Sequence, residues 1–255
     1  MNWLKVDFHM HTRDCVYDGV KHSTCQLIDR AAKLQFKVLA ITNHRYVIFS
    51  ECWREYAEER GILLLPGVEA NIEKRHVLII NADRDADRLR SFADLAVYRR
   101  SHPVLIIAPH PFYPGFICLR KKLLEHIELF DAVEYNSFYL KTWNPNLAAL
   151  KFSQEHHLPL LGGSDTHHLS QLGKTHSMIQ AEQNLDSIFQ AIRAGKVRVV
   201  TQPMRTLSAV TLLTRLRIRQ APKDMRRVFF PGTLQCQFKP YIFSLPNEVA
   251  VKRAS

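Results

Sequence analysis

The stretch "VDFHMHT" at residues 6–12 sets two histidines one residue apart at the end of an apolar run. On an extended strand successive side chains alternate between faces, so His9 and His11 point one way while Phe8 and Met10 point the other. Two neutral imidazoles converging at a strand end chelate a borderline cation such as zinc, iron or manganese. An isolated His-x-His is equally compatible with two ordinary histidines. The choice rests on whether the rest of the chain supplies more ligands.

Short apolar runs recur along the chain: "WLKVDF", "VLAIT", "ILLLPGVE", "HVLII", "VLIIAPH", "AVEYNS" and "LPLLGGSD". Bounded by Gly, Pro, Asn or Asp, they read as buried parallel strands with room for a helix between each pair. The segment "STCQLIDRAAKLQ" offers Ser23 or Thr24 as a cap and spaces Leu27, Ile28, Ala31, Ala32 and Leu34 along one face. "SECWREYAEERG" stops at Gly61 and "NLDSIFQAIRAG" at Gly195, and "NPNLAALKFSQEHH" behaves likewise. Repeated strand–helix alternation implies a parallel sheet, either open or closed into a barrel.

The 255 residues, 46% hydrophobic and 23% charged, are ordinary for a globular protein with a sizeable core. No apolar run approaches the roughly 18 residues of a membrane span. The opening "MNWLKVDF" enters a strand directly and has no basic-then-apolar export pattern, which predicts a cytoplasmic protein with no membrane partner. Cys15, Cys25, Cys52, Cys118 and Cys236 are odd in number, scattered and without a C-x-x-C pair, which argues against a disulfide framework and a thiolate zinc site. A net charge of +11 favours phosphorylated or polyanionic partners.

Set against the strand ends, the polar residues fall in a pattern. His9 and His11 close the first run, Asn43 and His44 close "VLAIT", and Glu69 follows "LLLPGV". His76 opens "VLII", His110 follows "LIIAP", Glu134 and Asn136 lie in "AVEYNS", and Asp165 and His167 follow "LPLLGGS". Most occupy C-terminal ends of strands, the face where parallel α/β barrels build their sites. Imidazoles and carboxylates without thiolates suit a hydrolytic centre of two or three cations, with Glu69 as the natural bridge.

The stretches "DFHMHT", "YDG", "AITNH", "PGVEAN", "APHPF", "VEYNS" and "GGSDTH" resemble, in order and spacing over residues 1 to about 200, the PHP (polymerase and histidinol phosphatase) metallophosphoesterases, in particular their small stand-alone members. The resemblance implies a distorted (β/α)7 TIM-like α/β barrel with a metal site at the C-terminal ends of the strands. It implies that His9, His11, Glu69 and Asp165 hold one ion, around a water that they activate. Glu69 would bridge to a second ion on His76 and His110, and Asp18, His44 and His167 would hold a third. In the "YDG" context Asp18, rather than Asp14, is the aspartate to expect. Two to three divalent ions are implied, whether Zn, Mn or Fe. The implied reaction is hydrolysis of a phosphate ester of a small metabolite or nucleotide.

At the second strand the family usually reads Thr-Asp-His followed by an acid or Asn, whereas this chain has Thr42, Asn43, His44 and Arg45. Asn43 loses a charge that would orient His44. Arg45 places a fixed cation beside the site and is expected to bind a substrate phosphate in a fork, with Glu134, Asn136 and Lys174 as further substrate-binding candidates. The reading divides the chain into a PHP-type catalytic barrel over 1–204 and a basic C-terminal appendage over 205–255. In the latter, Arg215, Arg217, Arg219, Lys223, Arg226 and Arg227 precede Phe229 and Phe230. That run reads as a charge-guarded edge strand, or as a patch tracking single-stranded nucleic acid. The second option carries the alternative function, a 3′-to-5′ exonuclease or oligoribonuclease using the same site. The amidohydrolases, which also use His-x-His and a late aspartate, fit less well, because of the Glu69 bridge and the "SDTH" pairing.

Overall fold

The structure, a computed structural model, describes residues 2–204; Met1 and residues 205–255, with the whole basic run, lie outside the described residues. The apolar runs form β1 (Asn2–Asp7), β2 (Val38–Ile41), β3 (Leu63–Ile72), β4 (Arg75–Ile80), β5 (Leu105–Ala108), β6 (Ala132–Asn136) and β7 (Leu160–Gly163). Two further strands, β8 (Thr175–Ala181) and β9 (Val197–Thr201), were not foreseen. The helices are α1 (Thr24–Lys33), α2 (Glu51–Glu58), α3 (Phe92–Ser101), α4 (Lys121–Glu125), α5 (Asn146–Glu155) and α6 (Leu185–Arg193). Ser23 caps α1 in a reciprocal capping box with Gln26.

The strands form one 9-stranded sheet in the order β7-β6-β5-β4-β3-β2-β1-β8-β9. The mixed α/β, barrel-like architecture agrees with the expected class, but not every unit is a parallel β/α repeat. β4 is antiparallel to both neighbours, and β8 and β9 are antiparallel to the strands they join. No helix separates β3 from β4. Glu73 and Lys74 take left-handed φ values of 46° and 66°, the backbone of a two-residue hairpin turn whose twist suits the flanking strands. β4 therefore starts where β3 ends, and His76 at its beginning reaches the same rim as the C-terminal ends of the parallel strands.

The two ends of the sheet approach each other at Gly162. Its N–H donates to Ser177 Oγ of β8 at 2.9 Å. A Cβ at this position would lie 2.5 Å from the carbonyl oxygen of His176, so only glycine lets the strands come this close. Leu4, Val6, Val38, Ala40, Leu78, Ile107, Ala132 and Leu161 fill the inside. Ile188, Phe189 and Ile192 of α6 join that same cluster, so α6 closes one mouth. Leu39, Ile41 and Leu64 face outward onto α1, while Ile79, Ile106 and Val133 face outward onto α3 and α5. Apolar residues on both faces explain why these strands read as continuous apolar runs rather than alternating ones. At α6's mouth Asp131 accepts from Arg99 at 2.9 and 2.8 Å, from Arg193 at 3.0 Å and from the Ile106 N–H at 2.9 Å. No helix among the described residues is long and apolar enough to cross a membrane.

Candidate metal centre

At the mouth opposite α6 the chain leaves β1 still extended. The Thr166 N–H donates to the carbonyl of His9 at 3.3 Å, and the His11 N–H donates to that of Thr166 at 3.1 Å, so the loop after β7 runs beside the end of β1. This pairing brings Asp165 and His167 to the two histidines. His9 Nε2 and His11 Nε2 lie 3.5 and 3.4 Å from Glu69 Oε2, and the same distances from Asp165 Oδ1. Glu69 divides its carboxylate. Oε2 faces His9, His11 and, at 2.9 Å, His44 Nδ1, while Oε1 faces His76 Nδ1 at 2.6 Å and His110 Nε2 at 3.2 Å. Asp18 Oδ1 lies 3.1 Å from His44 Nε2 and 3.9 Å from His167 Nε2, and its Oδ2 lies 3.1 Å from His11 Nδ1.

The structure thus brings together all of His9, His11, Asp18, His44, Glu69, His76, His110, Asp165 and His167, in overlapping groups whose donor atoms lie within 4.8 Å of one another. Asp14 stays out, accepting from the hydroxyls of Thr12 and Thr24, each at 3.0 Å. The exposure is graded. His9, His11 and Glu69 are buried to 1% or less, whereas Asp165 is 23% and His44 and His167 are 18% exposed, so the cluster opens to solvent along that side.

Several of these donors are close without being hydrogen-bonded. His9 Nε2, both ring nitrogens of His11, Asp18 Oδ2 and His76 Nδ1 are buried with no aligned hydrogen-bond partner. Buried polar atoms are almost always paired, and lone pairs that converge on a common point instead are what a cation satisfies. The other ring nitrogens are held from behind. His9 Nδ1 contacts Glu134 Oε1 at 2.7 Å, His167 Nδ1 contacts the carbonyl of Asp165 at 3.0 Å, and His110 Nδ1 contacts Cys118 Sγ at 3.5 Å. An Nδ1–H committed outward leaves Nε2 with its lone pair directed inward. The residues present therefore fit divalent cations.

The charge balance of the site without cations points the same way. Burial opposes charge on His44 and His167, yet the facing carboxylates raise them to about 9 and about 10. Burial likewise opposes charge on Glu69 and Asp165, but the surrounding imidazoles hold both well below the usual carboxylate range. His76 is lowered, because burial there outweighs its single close carboxylate. Imidazolium protons thus offset the acids in the positions that cations would take.

The expected substrate contacts separate. Glu134 and Asn136 are buried to 1%. Glu134 Oε2 accepts from the His110 N–H at 2.7 Å and from Asn136 Nδ2 at 3.1 Å, and Asn136 Nδ2 also lies 3.3 Å from Asp165 Oδ2. Both are enclosed behind the ligands and brace them, out of reach of a substrate. Lys174 is partly exposed, and its ammonium has no partner among the described residues. Arg45 is exposed at the rim beside His44. Asn43 does not orient His44: its Oδ1 accepts from the Thr12 N–H at 2.9 Å and its Nδ2 donates to the Thr12 hydroxyl at 3.2 Å, fastening the loop after β1.

Cys118 is the contact that sequence reasoning missed. A lone cysteine carries no signal by itself, and the loop after β5 returns Cys118 to His110, eight residues earlier. Left-handed backbone occurs here, as it also does among the described residues at Gln35, Glu73, Lys74, Asn81, Arg120 and His157. His110 and Asp165 have φ of 32° and 49°, and Arg45 has 67°. Left-handed non-glycine residues are uncommon and cluster at functional sites.

Parts of the chain match known proteins. The PHP-associated family profile matches residues 143–197. A DNA polymerase III of the PolC type from Staphylococcus saprophyticus is 31% identical over 83 residues, covering 32% of this chain and 6% of that protein. These two partial matches support a PHP-domain family. The chain aligns with only a small part of that much longer curated relative. Its fold is shared with PsfC from Pseudomonas syringae, at 18% identity and a TM-score of 0.58, covering 86% of this chain and 99% of that one. A protein from Bifidobacterium adolescentis assigned as a metal-dependent phosphoesterase is 16% identical with a TM-score of 0.53, covering 80% and 98%. The lesion-specific endonuclease EndoQ of Pyrococcus furiosus is 15% identical with a TM-score of 0.54, covering 83% and 66%.

Proposed function

We propose that this PHP domain is a metal-dependent phosphoesterase that hydrolyses a phosphate ester of a small metabolite or nucleotide. The observation that carries the reading is the divided Glu69 carboxylate, one oxygen toward His9, His11 and His44 and the other toward His76 and His110. A carboxylate so placed would offer one oxygen to a cation on either side, and such a pair of cations would supply charge stabilisation for in-line displacement at phosphorus. Bound divalent ions supply a lowered water pKa and positive charge against the phosphoryl oxygens.

The protein's own part is orientation. Glu134 fixes the His9 tautomer and the Asp165 carbonyl that of His167, so two ligand nitrogens are set before any ion arrives, while Cys118 packs against His110 Nδ1. His9, His11 and Glu69 exclude water from below, and the open side at Asp165, His44 and His167 admits the phosphate. In this reading His9, His11, Glu69 and Asp165 hold the first ion, Glu69, His76 and His110 the second, and Asp18, His44 and His167 the third.

The test is elemental analysis of the purified protein, with hydrolysis of an aryl phosphate, a 3′,5′-bisphosphonucleotide and a short oligonucleotide under added manganese or zinc. Two or three ions per chain and phosphate release abolished by His9→Ala and Asp165→Ala are expected. No ion bound and no turnover after reconstitution overturn the proposal. A second reading, cleavage of nucleic acid, is favoured by the +11 charge and by the endonuclease Q structures, one holding a 27-mer duplex substrate with an abasic lesion. It predicts turnover that falls steeply with salt, beyond what a small phosphate shows.

A further inference from the structure

Tyr17, Arg45 and Tyr46 surround the open side without entering the cluster. Tyr17 precedes Asp18, and Arg45 and Tyr46 follow His44, so these two ligand candidates carry aromatic and cationic neighbours. The two tyrosines are 45% and 42% exposed, with ring centroids 6.2 Å apart and planes 25° apart. The Arg45 guanidinium carbon stands 4.7 Å from the centre of the Tyr17 ring.

A single exposed tyrosine needs no explanation. Two stacked beside an arginine that has no carboxylate partner among the described residues do. Arg45 is held in a left-handed conformation, φ 67°, by its N–H donating to the Glu69 carbonyl at 3.0 Å. The turn is completed by the Tyr46 N–H donating to the His44 carbonyl at 2.9 Å. One strained turn therefore sends His44 inward and sets Arg45 and Tyr46 on the rim, anchored to the strand that carries Glu69. Stacked against Tyr17, the guanidinium is oriented while its N–H donors stay open to an anion.

We infer that Tyr17, Arg45 and Tyr46 form the subsite for the leaving group, and that the leaving group is a nucleoside. Its base lies on the exposed tyrosine rings, and Arg45 takes a phosphate oxygen. The inference rests on the phosphoesterase reading and deepens it. In the hydrolysis the P–O bond to the nucleoside breaks, a P–O bond to water forms, and a water proton ends on the nucleoside hydroxyl. A flat base gains from two aromatic faces, whereas an aliphatic alcohol gains little.

The test compares kcat/KM for adenosine 5′-monophosphate and glycerol 2-phosphate in the metal-loaded protein. The pair Tyr17→Leu with Tyr46→Leu is expected to lower the nucleotide-to-glycerol ratio about tenfold, through KM, in line with the usual worth of base stacking. The pair Tyr17→Phe with Tyr46→Phe keeps the rings and the ratio. A ratio unchanged by leucine, or lowered equally by phenylalanine, overturns the subsite. If the unaltered protein hydrolyses neither ester, the phosphoesterase reading fails. Equilibrium dialysis of adenosine 5′-monophosphate then decides separately: binding lost in the leucine pair upholds the subsite, and no binding, or binding equal in both, overturns it.

Discussion

Replacing Glu134 by Gln tests whether the ligands are oriented from behind. The carboxylate accepts from His9 Nδ1 and the His110 N–H, both at 2.7 Å, and from Asn136 Nδ2 at 3.1 Å, with no solvent to replace any of them. An amide of the same shape has one acceptor and one donor end, and neither placement works. With its oxygen toward His9, its NH2 meets two other donors. With its oxygen toward His110, its NH2 forces His9 into the tautomer whose Nε2 carries the proton, which cannot ligate a cation. Hydrogen bonds to charged groups contribute about 1.5–3 kcal/mol each, and outer partners of metal ligands about 10–100-fold in affinity. Glu134→Gln is therefore expected to weaken binding of the cation at His9 by about 10–100-fold. It is also expected to lower the stability of the metal-free protein by about 2–3 kcal/mol. Competition with a chromophoric chelator reads the affinity, and urea unfolding in chelator reads the stability. A loss of stability with unaltered metal affinity would refute the reasoning, because Glu134 would then hold the barrel together and not the ligand.

Gly163→Ala is expected to reproduce the Glu134→Gln phenotype in metal titration, since a Cβ there would overlap Glu134 Oε1. Asp131→Ala removes the shared partner of Arg99 and Arg193 at the opposite mouth. It should cost about 3 kcal/mol in urea unfolding while leaving metal content alone, and altered metal content would contradict the separation of the two mouths. Burial, with Lys5 adding to it, lowers His176 to about 4. The folded form therefore binds its proton less readily than the unfolded chain, and this contribution is complete above about pH 6.5 and lost as pH falls toward about 4. His176→Phe should flatten the pH dependence of stability in that window by about 2 kcal/mol; parallel curves for the two proteins would count against it.

The apolar runs bounded by Gly, Pro and Asn, and the imidazoles and carboxylates at their ends, were legible in the sequence because both signals are local. A strand buried on two faces is a short unbroken apolar run, and a ligand set is a choice of residue types. What the sequence could not determine is direction and contact across the chain. His76 begins its strand where most of the other candidates end theirs, and the hairpin at Glu73 and Lys74 reverses β4 and brings that beginning to the rim. β8 and β9 went unread, since "THSMIQA" and "VRVVT" have no unbroken apolar run and become strands by pairing with β1 and with each other. Glu134 and Asn136 were named for the substrate, yet burial makes them braces. Cys118 meets His110 only after a loop returns. Local patterning therefore determined which groups are available and roughly where in the chain they stand. How those groups meet, with Glu69 facing His9, His11 and His44 through one oxygen and His76 and His110 through the other, was decided by the register of the closing sheet, because separations of a few ångströms between distant segments are a property of packing and not of sequence spacing.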